Sequence, residues 1–286
     1  MASTDPQRRP FVKMHGLGND FVVFDARQEP LALSDPAVRA LADRHTGIGC
    51  DQLIILRASD DADVAMEIRN ADGSTVAACG NATRCVARLV MSECGAEQAV
   101  IETAAGLLRA HGTAAGVAVD MGPPGLDWRD IPLAEPADTR MLDFTRGALG
   151  RPGAVSMGNP HLVFFEDGAA AAQAFETLAP QIERDPLFPE RTNVSLARVD
   201  APDALTLTVW ERGAGFTRAC GTAACAALVA AHRRGLTGPK ARVVLPGGTL
   251  MVTWDVAGDS VILAGPADLA FFGAVDLAAY EIEAAE

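Results

Sequence analysis

Three things are scarce in this 286-residue chain, and each absence removes a class of protein. Long apolar runs are missing: the longest, Ala223–Ala231, falls far short of the ~18 residues that suggest a membrane span. Positive charge is short, with 24 Lys+Arg against 37 Asp+Glu and a formal net charge of −13, which argues against a nucleic acid as main partner. Cysteines number six, at 50, 79, 85, 94, 220 and 225, too few for a disulfide scaffold. None has C-x-x-C spacing and no histidine stands at ligand spacing, so no metal site is expected. The polar first ten residues are not followed by the apolar stretch of a secretory signal. These absences predict a cytoplasmic protein without a membrane partner.

What is present is globular composition, 49% apolar and 21% charged, in a length that allows one large domain or two ordinary ones. An internal repeat decides between them. Asn70-Ala71-Asp72-Gly73-Ser74 runs into Cys79-Gly80-Asn81, and Glu211-Arg212-Gly213-Ala214-Gly215 runs into Cys220-Gly221-Thr222. The two Cys-Gly steps lie 141 positions apart, as do Asn70 and Glu211, and Gln52 and Asn193. Asn19 and Asn159 are 140 apart. Further matches downstream, at 142 and 143, keep the same order, so the chain reads as two homologous halves.

Each half carries strand-like runs before its Cys-Gly step, 21–25, 53–57 and 64–69, then 162–165, 194–199 and 205–210, and further short strands after its helix, 99–103 and 117–121, then 242–245, 251–254 and 261–264. A helix follows each step. The first has the i, i+3, i+4, i+7 pattern of Ala82, Cys85, Val86 and Leu89 and ends at Gly95. The second is uncharged from Thr222 to Ala231, which predicts burial on every side. A peripheral helix is expected at 169–178, and Ser34-Asp35-Pro36 reads as the cap of another. Gly122–Pro136 holds four prolines and marks a boundary. The expected fold is α+β, with two pseudo-symmetric domains. Each is a strand-rich sheet wrapped around a central apolar helix, with the active site in the cleft between them. The domains are expected at residues 10–125 plus 267–286, and 126–266.

A cysteine at a helix N-terminus meets free backbone N–H groups and the positive end of the macrodipole. That predicts a lowered thiol pKa at Cys79 and Cys220, each beside a cradle for a carboxylate. Two such halves facing one another suit inversion of an α-carbon. One thiolate removes a proton from one face and the opposed thiol delivers one to the other. The competing pyridoxal route needs a Schiff-base lysine, and Lys13 and Lys240 stand in no such context, so no cofactor is expected. Cys85 and Cys225 read as helix-core residues; Cys50 and Cys94 have no repeat partner.

The chain resembles the diaminopimelate epimerase family. The segments that carry the resemblance include His15-Gly16-Leu17-Gly18-Asn19-Asp20-Phe21, Asn70-Ala71-Asp72-Gly73-Ser74, Gly158-Asn159-Pro160-His161, Arg191-Thr192-Asn193-Val194 and both Cys-Gly steps. The resemblance implies a pyridoxal-independent isomerase of lysine and peptidoglycan precursor synthesis, with Cys79 and Cys220 as its acid/base pair. It implies that Asn19, Gln52, Asn70, Asn159, Asn193, Glu211 and Arg212 contact a small zwitterionic amino acid. Backbone groups of Gly80, Asn81, Gly221 and Thr222 would complete the cradle. His161 and Glu211 would tune the cysteines, and a homodimer is implied. Phe271 stands where the family often has a tyrosine at the dimer contact. Two alternatives stay open. One is a proline or hydroxyproline racemase of the same fold, whose Cys-Gly-His step differs from Cys79-Gly80-Asn81. The other is a non-catalytic thiol redox switch.

Overall fold

Apolar runs before each Cys-Gly step and an apolar helix after it build the same motif twice. The computed structural model describes residues 8–166 and 168–280. The chain divides into two compact units, residues 1–119 with 266–286, and residues 120–265. The crossing lies at 119/120 instead of the expected 125/126. Residues 121 and 122 already belong to the second unit through Met121 N–H to Val261 O at 2.8 Å and Val261 N–H to Gly122 O at 3.0 Å. Of the expected C-terminal part of the first domain, residues 281–286 lie outside the described residues, as do residues 1–7.

The first unit opens with strands β1 (Arg8–Gly16) and β2 (Asn19–Asp25), then helix α1 (Asp35–Ala42). Strands β3 (Gln52–Arg57) and β4 (Val64–Asn70) lead into helix α2 (Gly80–Cys94). Strands β5 (Gln98–Thr103), β6 (Gly106–Thr113) and β7 (Gly116–Asp120) follow. Strand β2 runs parallel to β3, β3 antiparallel to β4, and β4 parallel to β5. The helix α2 lies buried against β1, β5 and β6 over most of its length and stops at Gly95, whose φ of 64° forms a left-handed cap. Ser34 caps α1 as expected, its Oγ accepting from Ala37 N–H at 3.2 Å. The apolar face of α1, Val38 and Leu41, packs with Phe24 and Ile55.

The second unit repeats the plan. Strands β8 (Gly153–Ser156) and β9 (Pro160–Phe165) precede helix α3 (Ala169–Ile182). Strands β10 (Asn193–Ala201) and β11 (Ala204–Glu211) lead into helix α4 (Gly221–Arg233), and β12 (Lys240–Leu245), β13 (Gly248–Asp255) and β14 (Ser260–Gly265) complete the unit. The uncharged run of α4 is buried on all sides from Ala223 to Ala231. Helix α3 runs four residues past its expected end and through Pro180. Phe175, Ala179 and Ile182 form a buried stripe that continues the apolar face.

The registers carry the repeat. Phe21 pairs with Gln52 where His161 pairs with Asn193, and Leu53 pairs with Arg69 where Val194 pairs with Trp210. Val64 pairs with Ile101 where Leu205 pairs with Val243. Every pair keeps the sequence offset of 140 to 142, so the two halves share one backbone plan. The last strand, β15 (Asp268–Asp276), returns to the first unit and pairs antiparallel with β1.

Candidate active site

Each unit brings its Cys-Gly step to the same backbone geometry. Cys79 is the N-cap of α2 with φ −146° and ψ 112°, and Cys220 is the N-cap of α4 with φ −132° and ψ 113°. Neither caps its helix with a side-chain hydrogen bond. The first amides of each helix, at Gly80-Asn81 and Gly221-Thr222, have no partner within the helix by geometry and point out of its end. That end can hold an anion.

In the first unit the residues around Cys79 form a hydrogen-bonded chain of fixed polarity. The fully buried Arg84 donates to Asn81 Oδ1 at 2.8 Å, and Asn81 Nδ2 donates to Asn19 Oδ1 at 3.1 Å. Asn19 Nδ2 donates to Asp51 Oδ2 at 2.9 Å. With a cation at one end and a carboxylate at the other, neither amide can flip. The Asn19 carbonyl oxygen is thereby turned to the Cys79 thiol, with Sγ at 4.0 Å. Asp51 is fixed by Arg44 at 2.7 Å, and Arg44 also binds Asp20 at 2.6 Å. Burial would raise the Asp20 pKa, but hydrogen bonds from Arg44 and Lys13 outweigh it and lower it to about 2. Gln52 and Asn70 face each other across β3 and β4, with Gln52 Nε2 donating to Asn70 Oδ1 at 3.0 Å. Gln52 Oε1 is buried and has no hydrogen-bond partner among the described residues.

In the second unit Cys220 sits 5% exposed, with Thr222 Oγ1 at 3.5 Å. Burial first, and the Glu211 carboxylate second, push its thiol well above the ordinary range. This corrects the sequence expectation of a lowered pKa for Cys220: desolvation and a like charge outweigh the helix end. Glu211 Oε1 accepts from Thr217 Oγ1. Asn193, expected at the substrate, is buried and tied on both sides. Its Nδ2 donates to Pro160 O and its Oδ1 accepts from Arg212 N–H, both at 2.9 Å. The Arg212 guanidinium donates to Glu190 O at 2.8 Å.

His161 is fully buried on β9 and hydrogen-bonded through Nε2 to Asn159 Oδ1 at 2.9 Å. Asn159 Oδ1 can only accept, so the ring proton is on Nε2. Burial, and then the Arg212 charge, lower the His161 pKa to about 3. The ring is therefore neutral and orients the Asn159 amide.

Cys85 and Cys50 lie in the cores, where burial raises their thiols to about 12 and about 11. Sequence reasoning missed Asp51, Arg84 and Glu183 as supports. None takes part in the paired polar positions that the repeat brings out at 19 and 159, 52 and 193, and 70 and 211. Among the described residues no group of three His, Cys, Asp or Glu could hold a metal ion, and no helix is long and apolar enough to cross a membrane.

Comparison with known proteins gives one consistent match. A family model described as diaminopimelate epimerase matches residues 11–126 and 153–270. The diaminopimelate epimerase of Acidiphilium cryptum is 55% identical over 271 residues, 94% of this chain and 97% of that protein. That of Phenylobacterium zucineum is 56% identical over 272 residues, 93% of this chain and 97% of that protein. Among solved structures, a hydroxyproline epimerase from Agrobacterium vitis superposes with a TM-score of 0.66 at 18% identity, over 95% of this chain and 93% of that one. A PhzF-family protein from Bacillus anthracis gives 0.65 at 15%, over 94% and 99%. At those identities the solved structures share the fold.

Proposed function

The chain belongs to the diaminopimelate epimerase family, and from that premise we propose that it interconverts LL- and meso-2,6-diaminopimelate by proton transfer between two cysteines, without a cofactor. The observation that carries the reading is the duplicated Cys-Gly helix start, with the same backbone geometry at Cys79 and Cys220.

One cysteine, as thiolate, takes the α-proton and becomes a thiol. The electron pair stays on the α-carbon, and the other thiol gives its proton to the opposite face and becomes a thiolate. The reverse reaction runs from the exchanged protonation states, so the pair titrates as a unit. Burial and Glu211 favour Cys220 as the initial proton donor, which leaves the base role to Cys79. The reading requires both sulfurs to reach one α-carbon. The helix-end amides stabilise the charge that gathers on the α-carboxylate as the proton leaves.

The substrate carries an ammonium and a carboxylate at each end, and only one end reacts. Neutral amides with spare acceptor capacity, such as Gln52 Oε1, suit an ammonium, and Arg212 suits a carboxylate. We further propose a cytoplasmic homodimer that joins through β15, where Phe271 and Phe272 are 50% and 70% exposed.

The test is ¹H NMR of LL-diaminopimelate in D₂O with the purified protein and no added cofactor. Deuterium should enter one α-position and the meso isomer should accumulate. Cys79→Ser and Cys220→Ser should each nearly abolish exchange. Full exchange in both single variants overturns the two-thiol reading.

A further inference from the structure

The turn that carries Glu211 and Arg212 is tight, and its backbone needs outside support. Gly213 has a φ of 78°, a left-handed conformation, and Ala214 N–H closes the turn on Glu211 O at 3.0 Å. Two consecutive amides within it donate to side chains beneath. Arg212 N–H goes to Asn193 Oδ1 at 2.9 Å, and Gly213 N–H goes to Glu183 Oε1 at 3.1 Å. The second oxygen of Glu183 accepts from the indole N–H of Trp210 at 2.7 Å. Glu183 is therefore attached on both sides of the Glu211-Arg212 pair.

Its setting is unusual for a carboxylate. Glu183 sits at the C-cap of α3 and is only 2% exposed, yet the cation it pairs with among the described residues, Arg191, is 3.7 Å away and half exposed. A buried carboxylate is costly unless hydrogen bonds satisfy it, and here the turn supplies them. The first unit has a device of the same kind. Arg69, the counterpart of Trp210, is held by Asp35 from the first turn of α1 and donates to Gly73 O. In both halves a carboxylate borne on the helix before the hairpin grips the residue that precedes the site side chain.

We propose that Glu183 is a positioning residue that fixes the Glu211–Gly213 turn, and with it the Arg212 backbone, for substrate recognition. The inference rests on the epimerase reading for its kinetic consequence, but its structural consequence stands apart from it. Glutamine at this position accepts on one oxygen only. Its NH₂ would face either Gly213 N–H or the Trp210 indole N–H, donor against donor.

The experiment compares wild type, Glu183→Gln and Glu183→Asp in epimerisation kinetics and in ¹H–¹⁵N spectra. The chain has three tryptophans, so the Trp210 indole N–H is one of three resolvable signals. In wild type it should resonate downfield as the donor to a carboxylate. The Gly213 amide should exchange with solvent at least roughly tenfold slower than an open turn amide. In Glu183→Gln the downfield shift and the protection should be lost. KM should rise about tenfold, the scale of one charge-assisted hydrogen bond, with kcat within about threefold. Glu183→Asp, which keeps both acceptors, should recover part of the KM. A purely structural role would instead lower kcat through loss of active protein and leave KM in place. Unchanged KM in Glu183→Gln, or an unprotected Gly213 amide in wild type, overturns the proposal. If Glu183→Gln fails to fold, the wild-type exchange and Glu183→Asp still decide it. Wild type inactive toward diaminopimelate, with Gly213 protected, would refute the substrate and leave the anchor standing.

Discussion

The neutral histidine beside Asn159 has a measurable cost in acid. His161 is fully buried, with a pKa of about 3 against an ordinary value of 6.5. Between these values the unfolded chain binds a proton that the folded chain refuses. This part of the stability is therefore complete above pH 6.5 and is lost as pH falls toward 3. At pH 5 the unfolded ring is almost wholly protonated and the folded ring almost wholly neutral. The penalty is then 1.5 logarithmic units, or about 2 kcal/mol by the conversion of ~1.36 kcal/mol per unit. The figure hardly depends on the folded value, because any folded pKa below about 4 gives the same result at pH 5. The perturbation is His161→Gln, which keeps an N–H for Asn159 and removes the titration. Urea unfolding of both proteins at pH 8, 6 and 5 gives the comparison. The variant should be less stable than wild type at pH 8, through imperfect packing, and the gap should close by about 2 kcal/mol at pH 5. The other histidines are common to both proteins and cancel. Parallel stability curves would refute the reasoning, as would ring protons of His161 that titrate near 6.5 in the folded protein.

Three further outcomes follow from named contacts. In Glu211→Gln the carboxylate that opposes the Cys220 thiolate is gone, so Cys220 should be alkylated by iodoacetamide at lower pH than in wild type, read by peptide mass spectrometry; an unchanged profile would leave burial as the only cause. Ser34→Ala removes the cap bond to Ala37 N–H and should cost about 1 kcal/mol in urea unfolding, with no change in KM. Phe271→Arg should shift sedimentation toward monomer, because a charge would interrupt the exposed apolar strand β15; an unchanged dimer would place the interface elsewhere.

Much of the plan was readable because duplication writes the same signal twice. The strands before each Cys-Gly step stand out as short apolar runs, buried almost throughout in β2, β3 and β9, and helix α2 carries its period and its stop at Gly95. Four longer strands were not foreseen, for physical reasons. In β1, Lys13 interrupts the apolar pattern, yet it is 8% exposed because Asp20 pairs it at 2.6 Å. Strand β8 spans four residues, too few for a pattern, while β6 is mostly exposed and β15 has no buried residue, so neither alternates. The supports of the site were hidden differently. Asp51 and Glu183 accept hydrogen bonds from Asn19, Trp210 and Gly213, all far away in sequence, and Arg84 reads as one more position on a buried helix, so no local period marks the three as supports.

At Cys220 burial and Glu211 override the helix end. A helix end acts over one turn and is worth little against burial of the whole thiol with a carboxylate alongside. The register puts Glu211 where the first half has Asn70, and Asn70 is neutral. One position of the repeat thus carries charge in one half and none in the other, while both cysteines keep the same backbone geometry. A coupled pair of thiols can share one proton even from identical sites, and identical sites would leave that proton on either sulfur alike. Duplication alone would supply identical sites. The Asn70 and Glu211 difference breaks the symmetry on the Cys220 side, where the carboxylate opposes the thiolate. Glu183, through Trp210 and Gly213, holds the turn that carries Glu211, the residue that breaks the symmetry.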